Sequence, residues 1–294
     1  MFDKIISLLL STTTAFVPSF TEVNMQDYNP PSMNYIQQAV DNGEQTANNN
    51  DVSTVQISIL ATDGNTTSMR TNVRQAHTPA PLGSLARVFI LVKAVMEDKS
   101  LINENRDNTV ISMMGDYSKQ ATDDLWAKYG GPKIINDLAK RYDLQETITG
   151  SNWDNTYSSA VDVTRLINRF LKDPKISDNQ KEWTKAMLSS TSLNVEGQDF
   201  GYGVPFARGI TSDQKGSGGG QGQKNSVGWI QGAPMNSDNG LYKHTVGIIT
   251  NEGTTYIVVI MATFPDGTGD AEANDKMNKI AMDTASQENL DSNR

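Results

Sequence analysis

The sequence contains no cysteine and only two histidines, His77 and His244. The absence of cysteine excludes disulfides, thiolate metal sites, a cysteine nucleophile and a lipid-modified N-terminal cysteine. Two histidines are too few for a histidine-rich metal site, and they leave few members for a Ser-His-Asp triad. A triad through His77 has little support, because His77 precedes Pro79 in an irregular segment. We therefore expect no metal and no cofactor.

The chain also has a shortage of positive charge. Its 25 Lys and Arg residues stand against 34 Asp and Glu residues, which gives a formal net charge of -9. A surface of this sign makes general nucleic-acid binding unfavourable. The hydrophobic fraction of 37% and the charged fraction of 20% are ordinary for a globular protein, and 294 residues suffice for one large domain or two small ones.

No long apolar run is present at the N-terminus, where Lys4 is followed by two short apolar stretches at residues 5–10 and 15–17. This pattern has the shape of a weak signal peptide and is too short to span a bilayer. We expect a signal peptide at 1–20, an extended linker at 21–34, a secreted or envelope-associated protein and no stable membrane span. The alternative is a cytoplasmic protein with an amphipathic N-terminal segment.

Hydrophobic periodicity predicts a helix, two strands, a helical block, three strands and a last helix. The predicted bounds are a helix from 35 to near Gly43, strands at 52–61 and 66–70, helices from Ser84 and at 108–114, 120–129, 132–142, 160–171 and 179–189, strands at 226–231, 244–250 and 255–262, and a helix at 270–286. The predicted fold class is α/β (α+β), with a five-stranded antiparallel sheet flanked by N- and C-terminal helices and an inserted all-helical subdomain.

The predicted domain covers residues 35–288, with a sheet part at 35–75 and 200–288, a helical part at 84–190 and a tail at 289–294. A cleft is expected where the sheet meets the helical block, and Ser84 lies at that point.

Residues 83–87 read Gly-Ser-Leu-Ala-Arg and open an apolar run. A serine in the first turn of a buried helix can act as a nucleophile, and the residue three positions later lies one helical turn along, beside the hydroxyl. That residue is Arg87, whose guanidinium has a pKa above about 12 and cannot accept the proton. The structural alternatives are a helix N-cap for Ser84 and a buried cation for Arg87, paired with Asp116 or Asp154.

Over residues 35–288 the order of elements and the local sequences resemble the class A β-lactamase and penicillin-binding protein superfamily, especially its actinobacterial secreted members. That family has Ser-x-x-Lys at the start of a central helix, Ser-x-Asn on a loop and Lys-Thr-Gly on the third strand. Here Arg87 replaces the lysine of the first motif. The second motif corresponds to Tyr117-Ser118-Lys119, which puts a cation in place of the asparagine; a register one residue later gives Ser118-Lys119-Gln120.

The third motif corresponds to Ser226-Val227-Gly228, followed by the aromatic Trp229. Ser226 and Val227 replace the Lys-Thr pair, and Lys224 lies two residues upstream.

Class A members add a glutamate on a loop, which activates the deacylating water. The corresponding loop falls between Leu144 and Tyr157 and offers Glu146 and Asp154 without matching context. The tryptophans are expected to be core or cleft-wall aromatics: Trp126, Trp153, Trp183 and Trp229.

With all four motifs altered, the resemblance implies a non-catalytic β-lactamase-like protein of the cell envelope. It would retain the cleft and bind peptidoglycan-derived fragments or an envelope partner. The catalytic motif positions are Ser84, Arg87, Tyr117 and Lys119. The binding positions are Ser118, Ser226, Gly228 and Trp229.

The alternative is an active serine hydrolase of the β-lactamase or D-Ala-D-Ala peptidase type. Some relatives use Tyr-x-Asn with tyrosine as the base, and nearby Arg87 and Lys119 would lower the pKa of Tyr117 by stabilising its phenolate, so that it could activate Ser84. A cytoplasmic protein of unrelated role on the same fold is a third possibility.

Overall fold

A computed structural model describes residues 34–64, 66–102, 108–188, 194–195, 198–199, 226–231, 235–237, 240–251 and 254–285. The predicted signal peptide at 1–20, nearly all of the linker and the tail at 289–294 lie outside the described residues. Lys224 lies outside them as well. The domain boundaries given above therefore stay predictions.

An antiparallel sheet is assembled from both ends of the chain. The strands in the described ranges are β1 (Thr54–Asp63), β2 (Thr66–Thr71), β3 (Ala80–Pro81), β4 (Tyr157–Ser158), β5 (Asn194–Val195), β6 (Gln198–Asp199), β7 (Ser226–Gln231), β8 (Met235–Ser237), β9 (Gly240–Asn251) and β10 (Thr254–Phe264). The main sheet has the order β2-β1-β10-β9-β7, which confirms the five predicted strands, and the short β8 pairs with β9 as a sixth. Separate small sheets join β3 to β4 and β5 to β6.

The helices lie on both faces of this sheet. Within the described residues they are α1 (Asn34–Asn49), α2 (Ala86–Glu97), α3 (Asn108–Gly115), α4 (Lys119–Lys128), α5 (Pro132–Tyr142), α6 (Ala160–Lys172), α7 (Asp178–Leu188) and α8 (Asp270–Ala285). Short 3-10 turns occur at Gln75–His77, Gly83–Leu85 and Lys99–Ile102. Among the described helices, none is both long enough and apolar enough to cross a membrane.

Helices α1 and α8 cover one face of the sheet, as predicted. Side chains alternate along β10 with the period of two that a strand imposes, so that Val258 and Ile260 pack towards α1 and α8 while Val259 and Met261 pack towards the helical block. The prediction that α1 ends near Gly43 is wrong, because α1 continues to Asn49. A Cβ atom on Gly43 would lie 1.9 Å from Thr284 Oγ1, so this glycine serves the close approach of α1 to α8.

The other face of the sheet packs against the inserted helices, with α2 at their centre. Residues 86–95 of α2 are all buried. The 3-10 turn Gly83–Leu85 that precedes α2 lies against β7, the edge strand of the five-strand path. The start of α2 is therefore the point where the helical block meets the sheet, as the sequence predicted.

Candidate functional site

Ser84 lies in the middle of the 3-10 turn that leads into α2, and it is 3% exposed. The turn begins at Gly83, whose φ of 51° lies in the left-handed region that favours glycine. Two hydrogen bonds fix the chain just before it: Leu82 N donates to the Thr156 carbonyl at 2.8 Å, and His244 Nε2 donates to the Pro81 carbonyl at 2.8 Å. The chain around Ser84 is thus clamped between β9 and the loop that ends at β4.

The interpretation of Ser84 as an N-cap is wrong. Leu85 occupies the N-cap of α2, and Leu82 occupies that of the preceding 3-10 turn, and neither makes a side-chain cap. Ser84 therefore keeps the location expected of a nucleophile at the start of a buried helix.

Arg87 is 3% exposed and is held by hydroxyl, carbonyl and aromatic groups. Its Nε donates to Thr122 Oγ1 at 3.0 Å, and its Nη2 donates to the Tyr117 carbonyl at 2.8 Å. Its Cζ lies 4.6 Å from the centroid of the Tyr117 ring and 5.4 Å from that of Trp153. These hydrogen bonds do not go to Asp116 or Asp154, the carboxylates that the sequence suggested. The guanidinium instead lies over two aromatic rings and donates hydrogen bonds from Nε and Nη2, an arrangement that suits arginine.

The second motif builds the neighbouring wall. Tyr117 has a φ of 55°, which is uncommon for a residue other than glycine, and its ring is buried. Ser118, predicted to bind ligand, is the N-cap of α4: its Oγ accepts from Ala121 N at 3.2 Å. The carbonyl of Ser118 accepts from Thr122 Oγ1 at 2.7 Å, which orients the hydroxyl that contacts Arg87. This motif therefore supports Arg87 through its backbone.

Lys119, the third residue of the motif, points towards solvent and has 71% of its side chain exposed. Its Nζ donates to Asp123 Oδ2 at 2.7 Å, and this hydrogen bond raises the pKa of Lys119. Burial opposes ionisation of Asp123, but hydrogen bonds from Lys119 and Trp153 outweigh it and lower the pKa of the Asp123 carboxyl. Asp123 thus stays ionised and links α4 to the loop that carries Trp153.

Trp153, expected from the sequence to lie in the core or the cleft wall, was not among the predicted catalytic or binding positions. It lies in the loop between α5 and β4, where the glutamate was sought, and is 7% exposed. Its Nε1 donates to Asp123 Oδ1 at 2.7 Å, and Lys119 Nζ lies 5.9 Å from its ring. Each of the two cations, Arg87 and Lys119, thus lies over the Trp153 ring, and Arg87 also lies over the Tyr117 ring; we call these four side chains the cation–π stack. The sequence indicated that Arg87 and Lys119 lie near Tyr117, but it did not indicate that Trp153 contacts them.

Glu146 lies in the same loop but is engaged elsewhere. Its Oε1 lies 3.1 Å from His77 Nδ1, and its Oε2 accepts from Ser159 Oγ at 3.3 Å and lies 3.7 Å from Arg165 Nη1. Burial tends to raise the pKa of Glu146, but the contacts with His77, Asp162 and Arg165 outweigh burial and lower it to about 2. His77, the weakly supported triad member, therefore contacts Glu146.

Asp162, in the first turn of α6, is fully buried beside Glu146. It accepts hydrogen bonds from Glu146 N at 2.6 Å and Thr147 Oγ1 at 2.9 Å, and from Arg165 Nη1 at 3.2 Å. Burial and the neighbouring Glu146 carboxylate raise the pKa of Asp162 to about 6. These contacts fasten the start of the loop to α6.

The third motif lies on β7, next to the Ser84 turn. In the antiparallel register with β9, Gly228 pairs with Ile248 and Trp229 pairs with Gly247. Strand β7, which carries the predicted binding positions Ser226, Gly228 and Trp229, therefore lies beside the Ser84 turn, and a binding role for these positions stays a prediction. Within the described residues, no group of three or more His, Asp or Glu side chains is placed to hold a metal ion.

An antiparallel sheet with terminal helices on one face, an inserted helical block on the other and a serine turn at their junction defines a β-lactamase/transpeptidase-like fold. Solved β-lactamases share it across most of their length. The β-lactamase of Xanthomonas campestris matches with a TM-score of 0.65 at 7% identity, covering 85% of this chain and 97% of that one. A class A β-lactamase of Bacteroides cellulosilyticus matches with a TM-score of 0.61 at 14% identity, covering 87% and 99%. Identities this low establish the fold alone.

No protein-family model matches the chain. Among curated proteins it is similar to the "Putative lipoprotein LppW" of Mycobacterium tuberculosis and of Mycobacterium bovis, with 26% identity over 129 residues. The match covers 42% of this chain and 41% of those proteins, so the chain matches about two fifths of the length of these relatives.

Proposed function

We propose that this protein is a non-catalytic member of the β-lactamase-like fold in the cell envelope, and that it uses the cleft beside Ser84 to bind peptidoglycan-derived fragments. The observation that carries the proposal is the environment of Arg87. A general base must accept a proton, and a guanidinium is ionised throughout the ordinary pH range. Arg87 also donates hydrogen bonds to Thr122 and Tyr117, so it is fixed in the role of a donor.

The loop between α5 and β4 supports the same proposal. Hydrolysis of an acyl-enzyme needs a base that activates water, and in the class A family a loop glutamate supplies it. Here the loop places the Trp153 indole against Arg87, and its Glu146 contacts His77, Arg165 and Ser159. An indole can donate a hydrogen bond but cannot accept a proton from water.

The envelope location is supported by the similarity to a protein named as a lipoprotein and by the apolar stretches near the N-terminus. We propose peptidoglycan fragments as the ligand class because the fold is shared with β-lactamases. The cleft beside Ser84 is inferred from the same likeness. A partner protein of the envelope is the other occupant that the cleft could take.

The first experiment tests acylation. The purified protein is incubated with a labelled penicillin and its intact mass is measured, with a class A β-lactamase as the positive control. We expect no adduct. A stable adduct that is lost in Ser84→Ala would overturn the non-catalytic proposal and favour the active serine hydrolase.

Tyr117 is the candidate base in that alternative. Its ring contacts Arg87, which follows Ser84 by one helical turn. If an adduct forms, Tyr117→Phe separates the roles. Loss of acylation in this variant would identify the phenol as the base for Ser84. If acylation is retained in this variant, another group must act as the base, and the tyrosine mechanism is rejected.

The second experiment tests binding by calorimetry with purified muropeptides. We expect saturable binding that weakens at least about tenfold in Trp229→Ala, since Trp229 lies on the strand beside the serine turn and a tenfold change is about 1.4 kcal/mol. The matched control is Met282→Ala, an exposed change on α8 at the opposite face of the sheet. Absence of binding by the wild-type protein would reject this ligand class.

A further inference from the structure

The loop formed by residues 144–156 is fastened at two points. At its base, Glu146 N and Thr147 Oγ1 donate to Asp162 Oδ2, and the backbones of Ile148 and Tyr157 pair. At its tip, the Trp153 indole donates to Asp123 and contacts Arg87. The loop thus connects the carboxyl groups at its base to the Trp153 ring at its tip, which has its own contacts with Asp123 and Arg87.

The base contains more negative than positive charge. The two carboxyl groups of Glu146 and Asp162 are faced by Arg165 from α6, with Nη1 distances of 3.7 Å and 3.2 Å, and by His77 from the 3-10 turn, at 3.1 Å from Glu146. Of these two facing groups, only the Arg165 guanidinium is permanently charged and within 4 Å of both carboxyl groups, so the two carboxyl groups share it. Asp162 is fully buried, so the excess negative charge is costly at neutral pH.

We propose that loop 144–156 closes with uptake of one proton from solvent, which the carboxyl groups of Glu146 and Asp162 share, so that the loop is held more firmly at mildly acidic pH than at neutral pH. The proton leaves one carboxylate facing one guanidinium and allows a carboxyl–carboxylate contact. The pair takes up this proton as a unit.

The shifts in pKa have the sign that this proposal requires. The pKa of Asp162 is raised from 3.8 to about 6, so its protonation favours the closed state, and this contribution is lost as the pH rises through 6. The pKa of Glu146 is lowered from 4.5 to about 2, so its contribution is present above 4.5 and is lost as the pH falls towards 2. The Asp162 contribution is complete below 3.8 and the Glu146 contribution is complete above 4.5, so the loop is held most firmly near these two values and progressively less firmly as the pH rises towards 6 and beyond.

Trp153 therefore covers Arg87 most completely in mild acid. A regulatory effect of this covering on ligand binding rests on the proposed function, whereas the proton-linked closure of the loop does not rest on it. It is measured without ligand, so that failure of muropeptide binding and failure of proton-linked closure are separate results.

The test is hydrogen exchange of the loop amides, followed by mass spectrometry at pH 7.5 and pH 5.0 and corrected for intrinsic exchange. We expect protection at residues 144–149 to be about tenfold higher at pH 5.0, as a single proton with these pKa values implies. A ratio below about twofold would overturn the proposal.

Variants identify the groups that take up the proton. Glu146→Gln removes the excess negative charge, and we expect its protection ratio to fall below about twofold. Asp162→Asn is the second variant if Glu146→Gln fails to fold, as judged by circular dichroism. Asp154→Asn, in the same loop but outside the cluster, is the matched control and should keep the tenfold ratio. His77→Gln should also keep most of it; loss of the ratio in His77→Gln would place the proton on the histidine and reject the shared carboxyl proton.

Discussion

Helix α2 carries a buried cation towards each end, and the two are stabilised in different ways. Lys93 is 6% exposed, and its Nζ lies 2.6 Å from Asp137 Oδ2 and 2.7 Å from Glu97 Oε1. Burial tends to lower the pKa of Lys93, but its hydrogen bonds to Asp137 and Glu97 outweigh burial and raise it. Lys93 is thus stabilised by two ion pairs, and both carboxylates retain access to water.

Arg87, at the other end, is held by a hydroxyl, a carbonyl and the faces of two rings. A compact ammonium could not contact two rings and donate from a planar edge at the same time. The comparison shows that the Arg87 pocket is built for a guanidinium, whereas the Lys93 pocket needs only a positive charge.

The largest difference is expected when each cation is replaced by methionine. Arg87→Met leaves the Thr122 hydroxyl and the Tyr117 carbonyl without their donor and opens space between two rings, which should cost about 3 kcal/mol. Lys93→Met should cost about 1 kcal/mol or less, because Asp137 keeps Lys133 at 2.5 Å and Glu97 reaches solvent. Urea unfolding measures both, and equal losses would contradict the comparison.

Arg87→Lys sharpens the same point. The charge remains, but the planar contacts are lost, so we expect a loss of about 1–2 kcal/mol in urea unfolding. The matched variant is Lys93→Arg, at a site that needs charge alone. If Arg87→Lys is as stable as the wild-type protein, the pocket is not specific for a guanidinium.

The elements of the fold were largely predictable, because they follow from local periodicity. Strand β7 has the bounds predicted, residues 226–231, and α5 begins at Pro132 and ends at Tyr142 as expected. Gly43 was misread as a helix end because the sequence does not show that Thr284 packs against it. A glycine needed for close helix packing and a glycine that ends a helix look alike in a sequence.

The position of the Ser84 turn in the fold was predictable, but its contacts were not. The order of elements placed the start of the buried helix where the sheet meets the helical block, and a cleft at that point stays a prediction. The partners of Arg87 lie 30 and 35 residues away at Tyr117 and Thr122, and Trp153 comes from a separate loop. Asp162 was read only as part of a helix, although it fastens that loop. Such contacts depend on tertiary packing, which periodicity does not encode.

A double-mutant cycle between Arg87 and Trp153 addresses the cation–π stack itself. Trp153→Leu removes the aromatic system and the donor to Asp123, so the cycle is repeated with Trp153→Phe, which keeps one aromatic ring and loses the donor and part of the aromatic surface. We expect a coupling free energy of about 1–2 kcal/mol for Arg87→Met with Trp153→Leu and a smaller value with Trp153→Phe. Coupling near zero in the leucine cycle would show that Arg87 and Trp153 contribute independently.

The smallest expected effect, and the one that separates the two ends of α2 most directly, is the response to salt. The carboxylates of Lys93 are 35% and 49% exposed, so raising NaCl from 0.1 M to 1 M should screen its ion pairs and shrink the loss caused by Lys93→Met by a few tenths of a kcal/mol. The hydrogen bonds from Arg87 to Thr122 and Tyr117 are buried and go to neutral groups, and Asp123 attracts Arg87 without being one of these partners, so the loss caused by Arg87→Met should change with salt by less than about 0.3 kcal/mol. Urea unfolding at the two salt concentrations measures both. A parallel salt response at the two sites would mean that Arg87, like Lys93, is stabilised mainly by exposed anions.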